Sequence, residues 1–143
     1  EIKSEQNGIV IIDDYAHHPT EIVATLQAAR SGWDKRTICV FQPHTYTRTL
    51  QFYKDFGKAF DEADILFITD VYPARELPIE GVSSELIFKD VKLQNKTMCS
   101  KENLLPLLEN IDLDVLVTFG AGDIDKLVPL IKNQLKQTKK QDS

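Results

Sequence analysis

Residues 9–32 read IVIIDDYAHHPTEIVATLQAARSG, and this stretch decides the fold. Four β-branched residues in succession, Ile9 to Ile12, suit a strand buried on both faces. Two acids, a tyrosine and two histidines follow at once. Pro19 then fits the first turn of a helix, where its missing N–H costs nothing. Ile22, Leu26 and Ala29 lie along one side of that helix, and Gly32 stops it. The unit is strand, polar loop, helix.

Working outward, the same unit recurs. Candidate strands Thr37–Phe41, Ile65–Thr69, a short Lys96–Cys99 and Val115–Phe119 alternate with amphipathic stretches. Such alternation predicts an α/β fold, a mostly parallel sheet of five or six strands with helices on both faces. Asn7-Gly8 is a tight-turn signal that can fold Glu1–Ser4 back as an antiparallel edge strand. Phe52, Phe56 and Phe60 recur every four residues, the spacing of a helix packed on its sheet. Ser83 or Ser84 can cap a third helix. Pro106 places the start of a fourth near Asn103, if proline is confined to the first turn. A last helix carries Ile124, Leu127, Val128, Ile131 and Leu135. Residues 1–136 form a single domain on this reading, and 137–143 a polar, frayed tail.

The chain has 143 residues, 42% of them hydrophobic and 27% charged, as in an ordinary globular domain. A net charge of −5 argues against a nucleic-acid partner, whose phosphates call for a basic face. No apolar run nears the ~20 residues that span a bilayer, and no signal-peptide pattern opens the chain. The expected location is cytoplasmic. Cys39 and Cys99 lie in apolar runs without metal-ligand spacing and read as buried free thiols. The first residue is Glu1, which suggests a piece of a longer protein.

In a parallel sheet, ligands bind at the carboxyl ends of the strands. Four loops qualify: Asp13–His18, Gln42–Thr47, Asp70–Gly81 and Gly120–Asp123. They hold all three histidines, His17, His18 and His44, together with Arg75, while Arg48 stands just past the second loop. That convergence on one sheet edge marks the expected site.

Two readings from other classes meet specific obstacles. A receiver domain of two-component signalling has this size and would use Asp13-Asp14 and Asp70, but its fifth strand should end in lysine. Here Phe119-Gly120 stand there, and His17, His44 and Arg48 stay unexplained. Gly120-Ala121-Gly122-Asp123 resembles the anion hole of ribokinase-like kinases, whose glycines admit phosphate to a helix N-terminus. That fold is longer, however, and Thr118-Phe119 replaces its usual Thr-Thr. A tight strand-to-helix turn explains the glycines as well.

Read in order, the loops give DDYAHHPTEI (13–22), FQPHTYTRT (41–49), TDVYPARELPIEGVSS (69–84) and GAGDI (120–124). This series resembles the C-terminal domain of the Mur ligase family, and within it the branch that adds L-alanine. The Asp-Tyr-Ala-His element occurs across several Mur ligases. Murein-peptide recycling ligases share the Asp-Asp-aromatic-Ala-His-His-Pro stretch but have a different second loop. Gln42-Pro43-His44 with Thr47-Arg48 therefore points to the alanine-adding branch.

The resemblance implies a Rossmann-like domain of an ATP-dependent ligase of peptidoglycan synthesis, which joins L-alanine to UDP-N-acetylmuramate through an acyl phosphate. It implies that Mg²⁺ is held mainly by a central domain. The phosphate loop Gly-x-x-x-x-Gly-Lys-Ser/Thr of that domain is not in this chain, so the chain alone is expected to be inactive. By resemblance Arg48 holds the L-alanine carboxylate in a guanidinium fork, helped by Tyr15, His17 and His44. Asp14 matches the position that accepts hydrogen bonds from the ATP ribose, and His18 fixes the turn ahead of Pro19. Arg75 and Asp123 are further candidates; no residue is assigned to proton transfer, and none to metal. Thr45 departs from the family, many members of which carry Arg there. Either Arg48 suffices without that cation, or Arg75 compensates for it.

Overall fold

The computed structural model describes residues 2–6 and 8–141. Six strands form one sheet: β1 (Ile2–Gln6), β2 (Ile9–Asp14), β3 (Thr37–Phe41), β4 (Ile65–Ile68), β5 (Lys96–Met98) and β6 (Val115–Phe119). Their order across the sheet is β1-β2-β6-β3-β4-β5. Only β1 runs antiparallel, pairing Gln6 with Ile9 and Ile2 with Ile12. The expected edge strand is therefore present and runs two residues further, to Gln6. Gly8 turns at φ +80°, and Asn7 of the expected turn lies outside the described residues.

The strands are apolar throughout because both sheet faces are covered. Side chains alternate between two cores. Val10, Ile12, Cys39, Phe41, Leu66, Ile68, Val117 and Phe119 face α1 (Pro19–Gly32), α2 (Tyr46–Ala59) and α3 (Ser84–Asp90). Ile11, Ile38, Val40, Phe67 and Leu116 face α4 (Lys101–Glu109) and α5 (Val128–Gln141). The phenylalanine stripe of α2 belongs to the first core, with Phe56 and Phe60 rings 5.1 and 5.2 Å from that of Phe41. Each fully buried side chain of this size contributes about 1.5–3 kcal/mol. At the outer edge of α2, the half-buried Phe52 meets His18 instead, with centroids 4.9 Å apart.

Three helix starts differ from the sequence reading, each for a local reason. α2 begins at Tyr46, inside the stretch read as the loop Gln42–Thr47, because the Thr45 hydroxyl accepts from the N–H of Arg48 and caps it. α4 begins at Lys101 rather than Asn103, since Ser100 caps it at the N–H of Asn103. Pro106 consequently sits inside α4, whose nine residues tolerate one lost backbone bond. The last helix is two pieces, a 3₁₀ turn over Ile124–Leu127 and then α5. Pro129 in the first turn of α5 explains the break: its ring would collide with a carbonyl four residues back if the α-helix had begun earlier. Ile124, Val128 and Ile131 are buried as expected, whereas the side chain of Leu135 lies outside the description. Helical backbone runs on to Gln141, into the stretch read as a tail, and residues 142–143 lie outside the described residues.

Ser83 caps α3 through the N–H of Glu85, while the buried Ser84 hydroxyl donates to the Thr69 carbonyl. Cys39 is wholly buried, and desolvation pushes its thiol far above the usual range. Cys99 is only partly buried, a correction to the sequence reading, because it follows the short edge strand β5. Among the described residues no helix is long and apolar enough to cross a membrane.

Candidate functional site

The five parallel strands deliver their loops to one end of the sheet, and the first loop follows β2. Asp14 shapes it. One carboxylate oxygen accepts the Ala16 N–H at 2.8 Å and the other accepts the Thr25 hydroxyl from α1. Asp13 accepts the Thr118 hydroxyl at 2.7 Å. His18 is the N-cap of α1, its Nδ1 accepting the Thr20 N–H at 3.3 Å ahead of Pro19. His17 lies within hydrogen-bonding distance of the Tyr15 carbonyl, Nδ1 to O 3.2 Å, a contact that requires the proton on Nδ1. Tyr15 stands 70% exposed at the rim.

The second and third loops supply the opposite wall. Tyr72 accepts the Thr45 N–H and donates its own to the Pro43 carbonyl, both at 2.8 Å, which locks the loops in parallel register at His44. Four rings then run in a row across three loops. Tyr15 meets His17 edge-on at 6.1 Å, His17 meets His44 at 6.0 Å, and His44 stacks on Tyr72 at 5.8 Å within 19° of parallel. The His44 Nδ1 is buried, with no hydrogen-bond partner among the described residues.

Tyr72 in turn rests on the fourth loop. A Cβ on Gly122 would lie 2.5 Å from the Tyr72 ring and 2.7 Å from the Gln42 amide oxygen, so only glycine fits. Gln42, itself 2% exposed, fastens that loop with two bonds, Nε2 to Asp123 at 2.7 Å and Oε1 from the Ile124 N–H at 3.1 Å. Asp123 also pairs with Lys101. Burial raises the Asp123 carboxyl, but the Gln42 and Lys101 hydrogen bonds and the lysine charge outweigh it, holding the group below the usual range. Asp123 is thus engaged in holding the loop.

Thr45 adopts φ 65° and ψ 149°, a region that β-branched residues avoid at a cost of about 1–3 kcal/mol. Its hydroxyl is spent on capping α2, and its carbonyl accepts both the N–H and the hydroxyl of Thr49. Arg48 is half-buried in the first turn that follows, and Arg75 is exposed beside Ala74, which also has positive φ. Among the described residues neither guanidinium forms a hydrogen bond or ion pair. Glu76 ties the two segments together, accepting the N–H groups of Tyr46 at 2.7 Å and Thr47 at 3.1 Å and also the Thr47 hydroxyl. Those bonds, the hydroxyl foremost, hold its carboxyl below the usual range.

Tyr15, His17 and His44 therefore meet in one row, and Arg48 stands in the first turn of α2, three residues beyond Thr45. Tyr72 and Glu76 carry no mark of their own in the sequence, and Gln42 only that of the family resemblance. Their partners lie 29 to 82 positions away for Glu76 and Gln42, so no local pattern announces them. No cluster of three or more His, Cys, Asp or Glu side chains suited to a metal occurs among the described residues. Asp14 also borders a shallow pocket of about 370 Å³ walled by Ile12, Ala24, Ala28 and Trp33.

Residues 1–122 match the family described as "Mur ligase, glutamate ligase domain". The UDP-N-acetylmuramate–L-alanine ligase of Geotalea daltonii is 48% identical over 132 residues, covering 87% of this chain and 28% of the relative. That of Phocaeicola vulgatus is 46% identical over 133 residues, covering 92% and 29%. The chain thus spans less than a third of the length of these relatives. In fold it is similar to UDP-N-acetylmuramate–alanine ligase of Thermotoga maritima, with a TM-score of 0.76 at 24% identity, over 96% of this chain and 30% of that one. A domain from a putative UDP-N-acetylmuramate:L-alanyl-γ-D-glutamyl-meso-diaminopimelate ligase of Haemophilus ducreyi gives 0.68 at 20% identity, over 94% and 98%.

Proposed function

The chain belongs to the Mur ligase family, and from that premise we propose that it is the amino-acid-binding, ATP-site-completing domain of a UDP-N-acetylmuramate–L-alanine ligase. In that reaction ATP converts the muramoyl carboxylate to an acyl phosphate. The alanine amine then forms the new C–N bond to the acyl carbon, and phosphate leaves with the electron pair of the broken C–O bond. The domain's task is to hold the amino acid still while its amine attacks.

The observation that carries this reading is the row of rings from three loops, with Arg48 in the first turn of the helix that follows the second of those loops. Arg48 offers two parallel N–H donors to the alanine carboxylate. His44, with its unpartnered Nδ1, and His17 frame the same space, and Tyr15 closes its rim. Thr45 takes no part through its side chain, which caps α2, so Arg48 holds the carboxylate with Arg75 as the nearest exposed cation along the third loop. Asp14, acceptor-only when ionised, suits a ribose hydroxyl of ATP: its present donors are a backbone N–H and a hydroxyl, and each oxygen keeps a lone pair. Mg²⁺ and the phosphate loop belong to the central domain of the longer enzyme, which also brings UDP-N-acetylmuramate with the N-terminal domain. The 143-residue chain alone is inert on this reading.

The test is made in the full-length ligase, titrating L-alanine at saturating ATP and UDP-N-acetylmuramate. Losing hydrogen bonds to a charged group, about 1.5–3 kcal/mol each, should make Arg48→Ala tens of fold poorer in L-alanine use. Arg48→Lys should recover little, since a point charge does not reproduce the fork. An unchanged KM and kcat for Arg48→Ala would remove it from the site.

A further inference from the structure

Backbone N–H groups converge at the amino-terminal end of α2, the turn that carries Arg48, and such an end attracts carboxylates. In this protein all three of its first donors are taken. Glu76 receives Tyr46 and Thr47, and the Thr45 hydroxyl receives Arg48. The Thr47 hydroxyl adds a further bond to Glu76. Glu76 comes from the third loop, 30 positions downstream of Tyr46, and it is ionised because its bonds favour the charged form.

Three consequences follow from that placement. A substrate carboxylate finds no vacant donor at the helix end and must be read by side chains. The negative charge of Glu76 offsets the helix dipole, which by itself disfavours an arginine in the first turn. The bond also fixes the third loop, which carries Arg75 next to Glu76 in the chain, to the start of α2. We propose that Glu76 is a positioning residue for the amino-acid carboxylate: by filling the end of α2 it directs that carboxylate to the Arg48 side chain.

This inference rests on the reading of Arg48 given above, and the experiment separates the two. In the full-length ligase, KM for each substrate, kcat and melting temperature are measured for Arg48→Ala, Glu76→Ala, Glu76→Gln and the double variant Arg48→Ala/Glu76→Ala. Glu76→Ala should raise the KM for L-alanine about tenfold, the scale of one charge-assisted hydrogen bond. The KM values for ATP and UDP-N-acetylmuramate should stay put. Glu76→Gln keeps one acceptor oxygen and should recover part of the loss. Because Glu76 acts through Arg48, the double variant should be no worse than Arg48→Ala.

Additive losses in the double variant, or KM values that rise together for all three substrates, would reduce Glu76 to a structural strut and overturn the proposal. So would an unchanged KM for L-alanine in Glu76→Ala when Arg48→Ala is impaired. An Arg48→Ala enzyme indistinguishable from the parent removes the alanine site itself, and the role of Glu76 falls with it. If Glu76→Ala does not fold, Glu76→Gln alone and combined with Arg48→Ala decides by the same additivity.

Discussion

The loop after β2 and the loop after β3 contribute to one row of rings, yet they are held in opposite ways. The first is fastened mainly to itself, by Asp14 to Ala16, His17 to Tyr15 and His18 to Thr20, each two residues apart. The second is fastened to the rest of the protein. Gln42 reaches Asp123, Tyr72 grips Pro43 and Thr45, and Glu76 grips Tyr46 and Thr47. A self-contained loop keeps its shape wherever the chain around it goes. A loop held from outside keeps its shape only if the whole fold is correct, which makes it the template against which the first loop presents Tyr15 and His17.

The contrast breaks most readily at Gln42. Gln42→Ala strips a buried site of two hydrogen bonds and leaves the Ile124 N–H unpaired, at about 1–3 kcal/mol per stranded group. We expect a loss of about 3 kcal/mol in denaturant unfolding, the largest of any polar change at this end of the sheet. Asp14→Ala, its counterpart in the first loop, removes bonds that water can partly replace, and should cost about 1–2 kcal/mol. Equal losses would erase the distinction between the two loops.

A third measurement sharpens it by pH. The Asp123 carboxyl lies lower in the folded chain than its ordinary value of 3.8. Its stabilisation is therefore complete above that value and is lost as pH falls through the lower, folded one. Lys101→Met should flatten that part of the acid unfolding curve, and an unaltered slope would show that the pair contributes nothing there. The smallest effect is expected at Thr45. Thr45→Gly relieves the positive φ and loses the cap, opposing changes that should leave stability within about 1 kcal/mol of the parent. Thr45→Ala keeps the strain and loses the cap, so it should be the less stable of the two by thermal melting.

How far the sequence could be read follows the same division. The β-branched runs of β2, β3, β4 and β6 and the Pro19 start of α1 are local signals, and the sheet they predict is the sheet observed. His18 fixes a turn, as its place before Pro19 suggests. The start of α4 was misplaced because Ser100 outweighs Pro106, and the start of α2 because a threonine in a left-handed conformation gives no sign of itself in sequence. Tyr72 and Glu76 sit in a loop whose composition is unremarkable. Only the folded register, which sets Tyr72 beside His44, shows what they do.

The strand order carries a consequence for how the chain is made. β6, residues 115–119, lies between β2 and β3, so the two strands that bear the site loops share no edge of their own. During synthesis β1 and β2 can close as a hairpin and β3 can align with β4, leaving two half-sheets with an open slot. The slot is filled only when the last strand of the sheet arrives, and such distant pairing is slow. Until then the ribosome carries a nascent chain with all three histidines made and no pocket to put them in.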